Sequence, residues 1–421
     1  MENLYPLLSP KIIFRRTTKG EKCGSKLVAI DEKEIELNEA SERVVVECDG
    51  GSSVREIAGK LATVFDKTAP ETILDRLKSL LSALRDQGAV EFLNEPVKGK
   101  RRRILPREPH GKYPLMSIFM EVTNACNLKC IHCYLGEIEK QRDFSLDEIK
   151  SVLDQHSDMG GEYVVLSGGE PFVRKDIFEI VEYASSLPLF VSILSNGVLI
   201  TDEAAKRLSR CNIKRVQISL DGAKPETHDA IRNLKGAHKA AIRAIEALRR
   251  EGIRVEIASV INRLNMNELE ELIDFCGQWG EVPGFSYQEH RGRAAAEGDG
   301  YQLSYHEHHQ ALVRVRKYIS ERTARKPFTF KVEPKPNLEV RRCAAGLTSL
   351  TVRSNGEVYA CLDLITPNAK LGDIYTQSVR EIWHSDNPFL KTLRATYLKD
   401  LKFCRDCVHF LYCKGGCPAK A

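Results

Sequence analysis

The chain has 421 residues, with Lys+Arg 63 against Asp+Glu 58, 42% hydrophobic and 29% charged residues and a formal net charge of +5. That balance excludes disorder, collagen-like repeats and coiled coil, and allows two or three globular domains. There is no apolar run approaching the ~18 residues of a membrane span, no signal-peptide pattern over Met1–Pro6 and no face-long basic stripe interleaved with aromatics, so the expectation is a cytoplasmic protein with neither membrane nor nucleic acid as partner.

Residues 1–95 read as a small α+β unit. Segments 11–16, 26–30 and 33–37 have strand composition, and Asp31-Glu32 suits a hairpin turn between the last two. Ser53-x-x-Glu56 and Thr68-x-x-Glu71 form capping boxes, with Pro70 inside the second, and Ile73, Leu77, Leu80, Leu81 and Leu84 give a helical stripe ending at Gly88. Residues 43–46 stay open: Val44, Val45 and Val46 favour strand, whereas Asn38 is a suitable N-cap for helix. Segment 96–112 is a basic linker, interrupted by Pro and Gly and without apolar periodicity, its charge read as solvated.

From Leu115 short apolar runs alternate with helical segments. Strands are expected near 116–122, 163–166, 190–194, 214–220, 254–260 and 284–288, with helices from Ser145, over 176–187, 201–210, 226–251 and 267–279. Six such repeats imply an open α/β barrel over 113–325, with active groups at the strands' C-terminal ends. A helix over 304–321 follows, whose His306, His308 and His309 read as a solvated face. Beyond it periodicity fades, and 326–421 combines short polar segments with cysteine, as in a domain held by metal.

The chain carries 13 cysteines. Cys23, Cys48, Cys211 and Cys276 stand alone and read as small buried side chains; the rest cluster, which in a large cytoplasmic chain points to metal. Cys126, Cys130 and Cys133, at C-x3-C-x2-C just past the first barrel strand, can hold three irons of a cubane cluster and leave the fourth open. Zinc would want a fourth local ligand, which His132 is poorly placed to be. The second strand ends Gly168-Gly169-Glu170-Pro171, where glycines admit a ligand close to the backbone and Glu170 can accept from an ammonium. Ser195-Asn196 ends the third strand and Ser219-Leu220-Asp221 the fourth, with Arg232 in the next helix, and Asn262 follows the fifth. Singly each is a cap or turn residue; one set per successive strand end makes a binding constellation.

C-x3-C-x2-C after the first strand of an α/β barrel resembles the radical S-adenosylmethionine (SAM) enzymes. The resemblance implies a four-iron–four-sulfur cluster whose open iron chelates SAM and cleaves it to a 5′-deoxyadenosyl radical. It also implies roles by residue: Gly168 to Pro171 at the SAM amino group, Ser195-Asn196 at the ribose, Ser219, Asp221 and Arg232 around the carboxylate, and Asn262 with the His132 backbone near the adenine. Cys343, Gly356-x4-Cys361 and Cys404-x2-Cys407-x5-Cys413-x3-Cys417 resemble the SPASM extension of peptide maturases, which holds auxiliary iron–sulfur clusters. That pattern has a further Cys downstream, whereas this sequence runs four residues past Cys417. Six thiolates are fewer than two fully thiolate-ligated four-iron clusters require, so one cluster, or two completed by other ligands such as Asp363, Asp406 or His409, both stay open, as does a zinc ribbon.

Ile35-Glu-Leu-Asn38-Glu, Cys48-Asp-Gly-Gly51 and the capped helices after them resemble the PqqD-like, winged-helix-type domains of peptide-modifying radical enzymes. The likeness implies helix over 38–48 and docking of a leader peptide by strand addition. The combined expectation is an oxidoreductase that modifies a ribosomally made precursor peptide, served by an external donor such as flavodoxin or ferredoxin; a tetrapyrrole or other small-molecule substrate is the alternative. No residue is identified as a catalytic acid or base.

Overall fold

The computed structural model describes the chain apart from residues 10–11, 20–21, 30–32, 65–68, 98–112, 136–141, 289–290, 297–299, 323–342 and 396–421. It divides into two compact units, one comprising Met1–Pro114, Ser157–Glu162 and Glu182–Phe190, the other Leu115–His156, Tyr163–Val181 and Val191–Ala421.

In the first unit, β1 (Tyr5–Leu8) pairs antiparallel with β5 (Val90–Leu93). β2 (Ile12–Lys19), β3 (Lys22–Ala29) and β4 (Glu34–Leu37) form a separate antiparallel sheet in the order β2-β3-β4. Between β4 and β5 run α1 (Glu39–Val46), α2 (Val54–Ala62) and α3 (Pro70–Asp86). Helix wins at Val44–Val46. Asn38 Oδ1 accepts from Ser41 N at 2.8 Å, Glu39 and Glu42 sit at the electropositive helix start, and Val44 and Val45 are buried. A satisfied cap plus burial, the latter about 1.5–3 kcal/mol per valine, outweighs the β preference. Ser53 and Glu56 form the expected box. Thr68 of the second box lies outside the described residues; Ala69 is the N-cap of α3, and Pro70 starts the helix with its preset φ. β1 and β5 are not among the strands expected from the sequence.

In the second unit the parallel strands are β6 (Ser117–Thr123), β7 (Tyr163–Gly168), β8 (Phe190–Ser195), β9 (Ile213–Ser219), β10 (Val255–Ile261) and β11 (Gly284–Tyr287), side by side in chain order. The intervening helices are α4 (Leu146–Asp158), α5 (Ile177–Ser186), α6 (Asp202–Leu208), α7 (Pro225–Arg232), α8 (Ala237–Arg250) and α9 (Leu269–Gly277). After β11 come α10 (Arg293–Ala296) and α11 (Tyr305–Arg322). Ala241, Ala244, Ile245 and Leu248 are buried at i, i+3, i+4 and i+7 on α8, the stripe a helix needs to cover a sheet.

Two expectations change, over 226–251 and at His308, while the sheet is open as expected. The helix over 226–251 is two helices, broken where Asn233 takes φ 51° and Gly236 φ 88°; both residues tolerate the left-handed region, and Asp229 accepts from the Gly236 and His238 amides. Among the described residues the sheet stays open, and β6 has β12 (Ser349–Val352) as its other neighbour, parallel and in register from Ser117↔Ser349 to Met120↔Val352. β13 (Glu357–Tyr359) and β14 (Gly372–Asp373) extend it antiparallel. His308 is buried, its ring edge-on to Tyr287 at 4.9 Å, because α11 carries an apolar face with Ala311 and Val315. Among the described residues no helix is long and apolar enough to cross a membrane.

Candidate functional site

The loop after β6 is shaped by its own polar groups. Asp143 accepts from the Asn124 amide at 3.0 Å, the Thr123 hydroxyl accepts from the Ala125 amide at 3.0 Å, and the Cys126 sulfur accepts from the Leu128 amide at 3.4 Å. Cys126 is exposed, Cys130 buried and Cys133 intermediate, all lining one cavity of about 780 Å³. Burial raises the Cys130 thiol, against the pull of Arg232. A bound cation favours the thiolate of such a thiol.

Against this loop lies the end of β7. A Cβ on Gly168, whose φ is 140°, would stand 2.2 Å from the Thr123 carbonyl oxygen, and one on Gly169 2.3 Å from that of Ala125. Gly169 N and Glu170 N donate to those same carbonyls at 2.8 and 2.9 Å. The glycines are therefore required by a strand end that touches the cysteine loop backbone to backbone. Glu170 is buried and accepts from Phe172 N at 3.2 Å, the Ser195 hydroxyl at 2.8 Å and Asn196 N at 2.7 Å. Burial pushes its carboxyl up to about 7 although these donors oppose it. Asn196 in turn donates to Asn127 at 2.8 Å, tying the third strand end to the cysteine loop.

The fourth strand end holds a buried ion pair, Asp221 Oδ2 to Arg232 Nε at 2.7 Å, and Arg232 also reaches the Cys130 sulfur at 3.8 Å. Burial raises the Asp221 carboxyl, but Arg232, the neighbouring histidines and the Val260 amide together more than offset this and leave it below the ordinary value. Asp221 accepts from Val260 N at 2.9 Å and its own amide donates to His228 Nδ1 at 3.0 Å. Burial holds the His132 imidazole down at about 4, so it is neutral, and its Nδ1 is buried without a hydrogen-bond partner.

His132, Gly168, Gly169, Glu170, Ser195, Asn196, Ser219, Arg232 and the three cysteines line the cavity, whereas Pro171, Asp221 and Asn262 do not. Pro171 is buried and opens a 3-10 turn, Asp221 serves Arg232 from behind, and Asn262 is spent on a turn, accepting from Leu264 N at 2.9 Å. Gln217, Ala258, Val260, Ser286, Tyr287, Tyr134 and Arg293 also line it and escape motif reading. The signal that finds several of them is strand alternation: Gln217 faces the way Ser219 does, and Ala258 the way Val260 does.

Cys343 and Cys361 are both of intermediate exposure. Cys361 caps a short 3-10 turn, its sulfur accepting from Asp363 N at 3.3 Å, and Asp363 lines the cavity. Cys404, Cys407, Cys413, Cys417, Asp406 and His409 lie outside the described residues. Among those described, no three of His, Cys, Asp or Glu converge on a single-ion site. The three thiols on one cavity wall, the Arg232 guanidinium beside one of them and the glycine cradle fit a cluster bound through the loop with a zwitterionic ligand beside it.

Residues 120–276 match the radical SAM superfamily, 343–408 the iron–sulfur cluster-binding SPASM domain and 26–90 coenzyme PQQ synthesis protein D. The chain belongs to the radical SAM superfamily and is an enzyme that uses SAM and four-iron–four-sulfur clusters. Within that superfamily it is 31% identical to the mycofactocin maturase MftC of Mycolicibacterium smegmatis over 323 residues, 75% of this chain and 81% of the relative. It is 28% identical to the AdoMet-dependent heme synthase of Methanosarcina barkeri over 72% of this chain and 91% of that one. Streptococcus suis SuiB bound to precursor peptide SuiA shares the fold, with a TM-score of 0.63 at 18% identity over 99% of this chain and 96% of that one.

Proposed function

We propose that this radical SAM enzyme modifies a ribosomally made precursor peptide in the cytoplasm, with residues 1–95 docking the leader, 113–325 holding the SAM chemistry and 326–421 the auxiliary clusters. The observation that carries the reading is the three-stranded sheet β2-β3-β4, of which β4 and the end of β3 fall in the PqqD match over 26–90, in a chain that also carries a radical SAM match. Among the described residues β2 and β4 each have a strand neighbour on one side only, and an extended peptide can add to such an edge by main-chain hydrogen bonds. The similarity to mycofactocin maturases and the fold shared with a peptide-bound SuiB support it.

In this reading Cys126, Cys130 and Cys133 hold the open cluster, and Cys343, Cys361, Cys404, Cys407, Cys413 and Cys417 serve the auxiliary ones. When bound, the cluster and SAM supply a 5′-deoxyadenosyl radical, the reducing electron coming from a flavodoxin- or ferredoxin-type donor. The chain's part is placement. Arg232 offers its guanidinium to the SAM carboxylate while Asp221 fixes its rotamer, and Glu170 accepts from the ammonium, giving up its excess proton as a cation arrives. Ser195 and Asn196 take the ribose, Ser219 the methionine end, and His132 and Asn262 flank the adenine. Asn262 would do so from behind the cavity wall, as part of the turn that its side chain and its amide hold.

The heme synthase relative keeps a tetrapyrrole substrate as the second reading. Anaerobically reduced full-length protein with SAM should form 5′-deoxyadenosine, and Cys126→Ala should not. Equal product from both would overturn the cluster assignment. Precursor peptides encoded beside the gene should bind the full chain, and deletion of residues 1–95 should abolish their turnover; unchanged turnover would refute leader docking, and no binding or turnover of any such peptide by the full chain would favour the small-molecule reading.

A further inference from the structure

Four residues that no SAM-binding motif contains run between the two cysteine-bearing regions. Glu121, in β6 and fully buried, accepts from the Tyr134 hydroxyl at 3.3 Å and from Arg353 Nε at 3.2 Å. Arg353 follows β12, the strand that pairs with β6. Tyr134 is the residue after Cys133, and the Arg291 guanidinium lies over its ring at 5.5 Å. Arg291 also donates to the Leu362 carbonyl at 2.7 Å, and Leu362 is the residue after Cys361. One guanidinium thus touches the neighbours of two cysteines from loops more than 200 residues apart. Next to it, Arg293 donates to the Cys130 carbonyl and Ala294 N to that of Cys133, both at 3.3 Å, so the segment 291–294 is fastened to the first loop.

We propose that Arg291 is a positioning residue shared by the two iron–sulfur sites. Stacked beside Cys133 and bonded beside Cys361, it sets the placement of the two loops and puts one positive charge near both clusters, with Glu121 and Tyr134 holding the stack in place. This rests on the reading that Cys133 and Cys361 are cluster ligands. Arginine suits the task because a planar guanidinium can stack and donate at once, which an ammonium does not do. A nearby cation favours the reduced, more negative form of a cluster and so raises its potential, and low exposure strengthens the effect.

The test is an anaerobic potentiometric titration of the reconstituted full chain followed by electron paramagnetic resonance, in which added SAM perturbs only the signal of the open cluster. Arg291→Gln is expected to move both reduced-cluster signals to lower potential together. Arg291→Lys, which keeps the charge, should return both towards the parent values, and Arg243→Gln, on an exposed helix face, should move neither. A shift confined to one signal, or none in either, overturns the proposal. If Arg291→Gln does not hold iron, Arg291→Lys decides alone. The proposal then expects potentials near the parent's with altered g-values for both signals, since a lysine cannot stack on Tyr134 and bond Leu362 together; unaltered g-values overturn it. An iron content that Cys361→Ala leaves unchanged would instead remove the ligand assignment underneath, which separates the two failures.

Discussion

Replacing Gly169 with alanine tests whether the contact between the end of β7 and the cysteine loop is as tight as the geometry requires. The new Cβ would stand 2.3 Å from the Ala125 carbonyl oxygen, 2.7 Å from its carbon and 2.7 Å from the Asn124 oxygen. All three atoms are backbone, so no rotamer change relieves the clash. Ordinary contact lies near 3.5 Å, and the strand end must retreat by about 1 Å. That stretches the Gly169 N to Thr123 O and Glu170 N to Ala125 O bonds, now 2.8 and 2.9 Å, past hydrogen-bonding distance. Two lost bonds at about 1 kcal/mol each, with overpacking strain of about 1–3 kcal/mol, total roughly 3–5 kcal/mol. At a factor of ten per ~1.4 kcal/mol, local amide exchange should accelerate at least about a hundred-fold. Hydrogen exchange of the full chain, followed by mass spectrometry over peptides covering 118–128 and 163–172, reads this directly. Acceleration below about threefold at both segments would refute the claim that glycine is sterically required here.

Two further outcomes follow from the same site. With its carboxyl raised to about 7 by burial, Glu170 binds its proton more tightly in the folded chain than in the unfolded one. Its contribution to the stability of SAM-free protein should therefore be largest below the ordinary carboxylate range, fall as pH rises towards 7 and level off above it; the difference in thermal melts between the parent and Glu170→Gln, followed against pH, should show that slope. Asp221→Asn removes the partner of a buried guanidinium, so denaturation of the variant should show a loss of about 3–5 kcal/mol, and a loss under about 1 kcal/mol would mean that Arg232 finds compensation elsewhere.

Legibility differed residue by residue. The strand-end motifs were readable because each falls where a parallel strand stops, a place marked by the switch from apolar run to Gly, Ser, Asn or Asp. Asn38 was readable as a cap, yet whether it capped a helix containing three valines depended on the buried side Val44 and Val45 found. Asn233 and Gly236 carried the helix break in plain view, but periodicity continues across them, so the stripe masked it. Asn262 looked equivalent to the other polar residues, although its side chain turns back into its own loop.

By itself the sequence determined the chemistry class and the order of elements, because thiol spacing, glycine placement and apolar period are local and survive without coordinates. Only the tertiary structure decided that β12 joins β6, that Glu121 and Arg353 form an ion pair, and that Arg291 stands between the neighbours of Cys133 and Cys361. These are contacts between segments far apart in the chain, each formed when burial brings strands side by side, and no local pattern encodes which distant partner a buried charge will find.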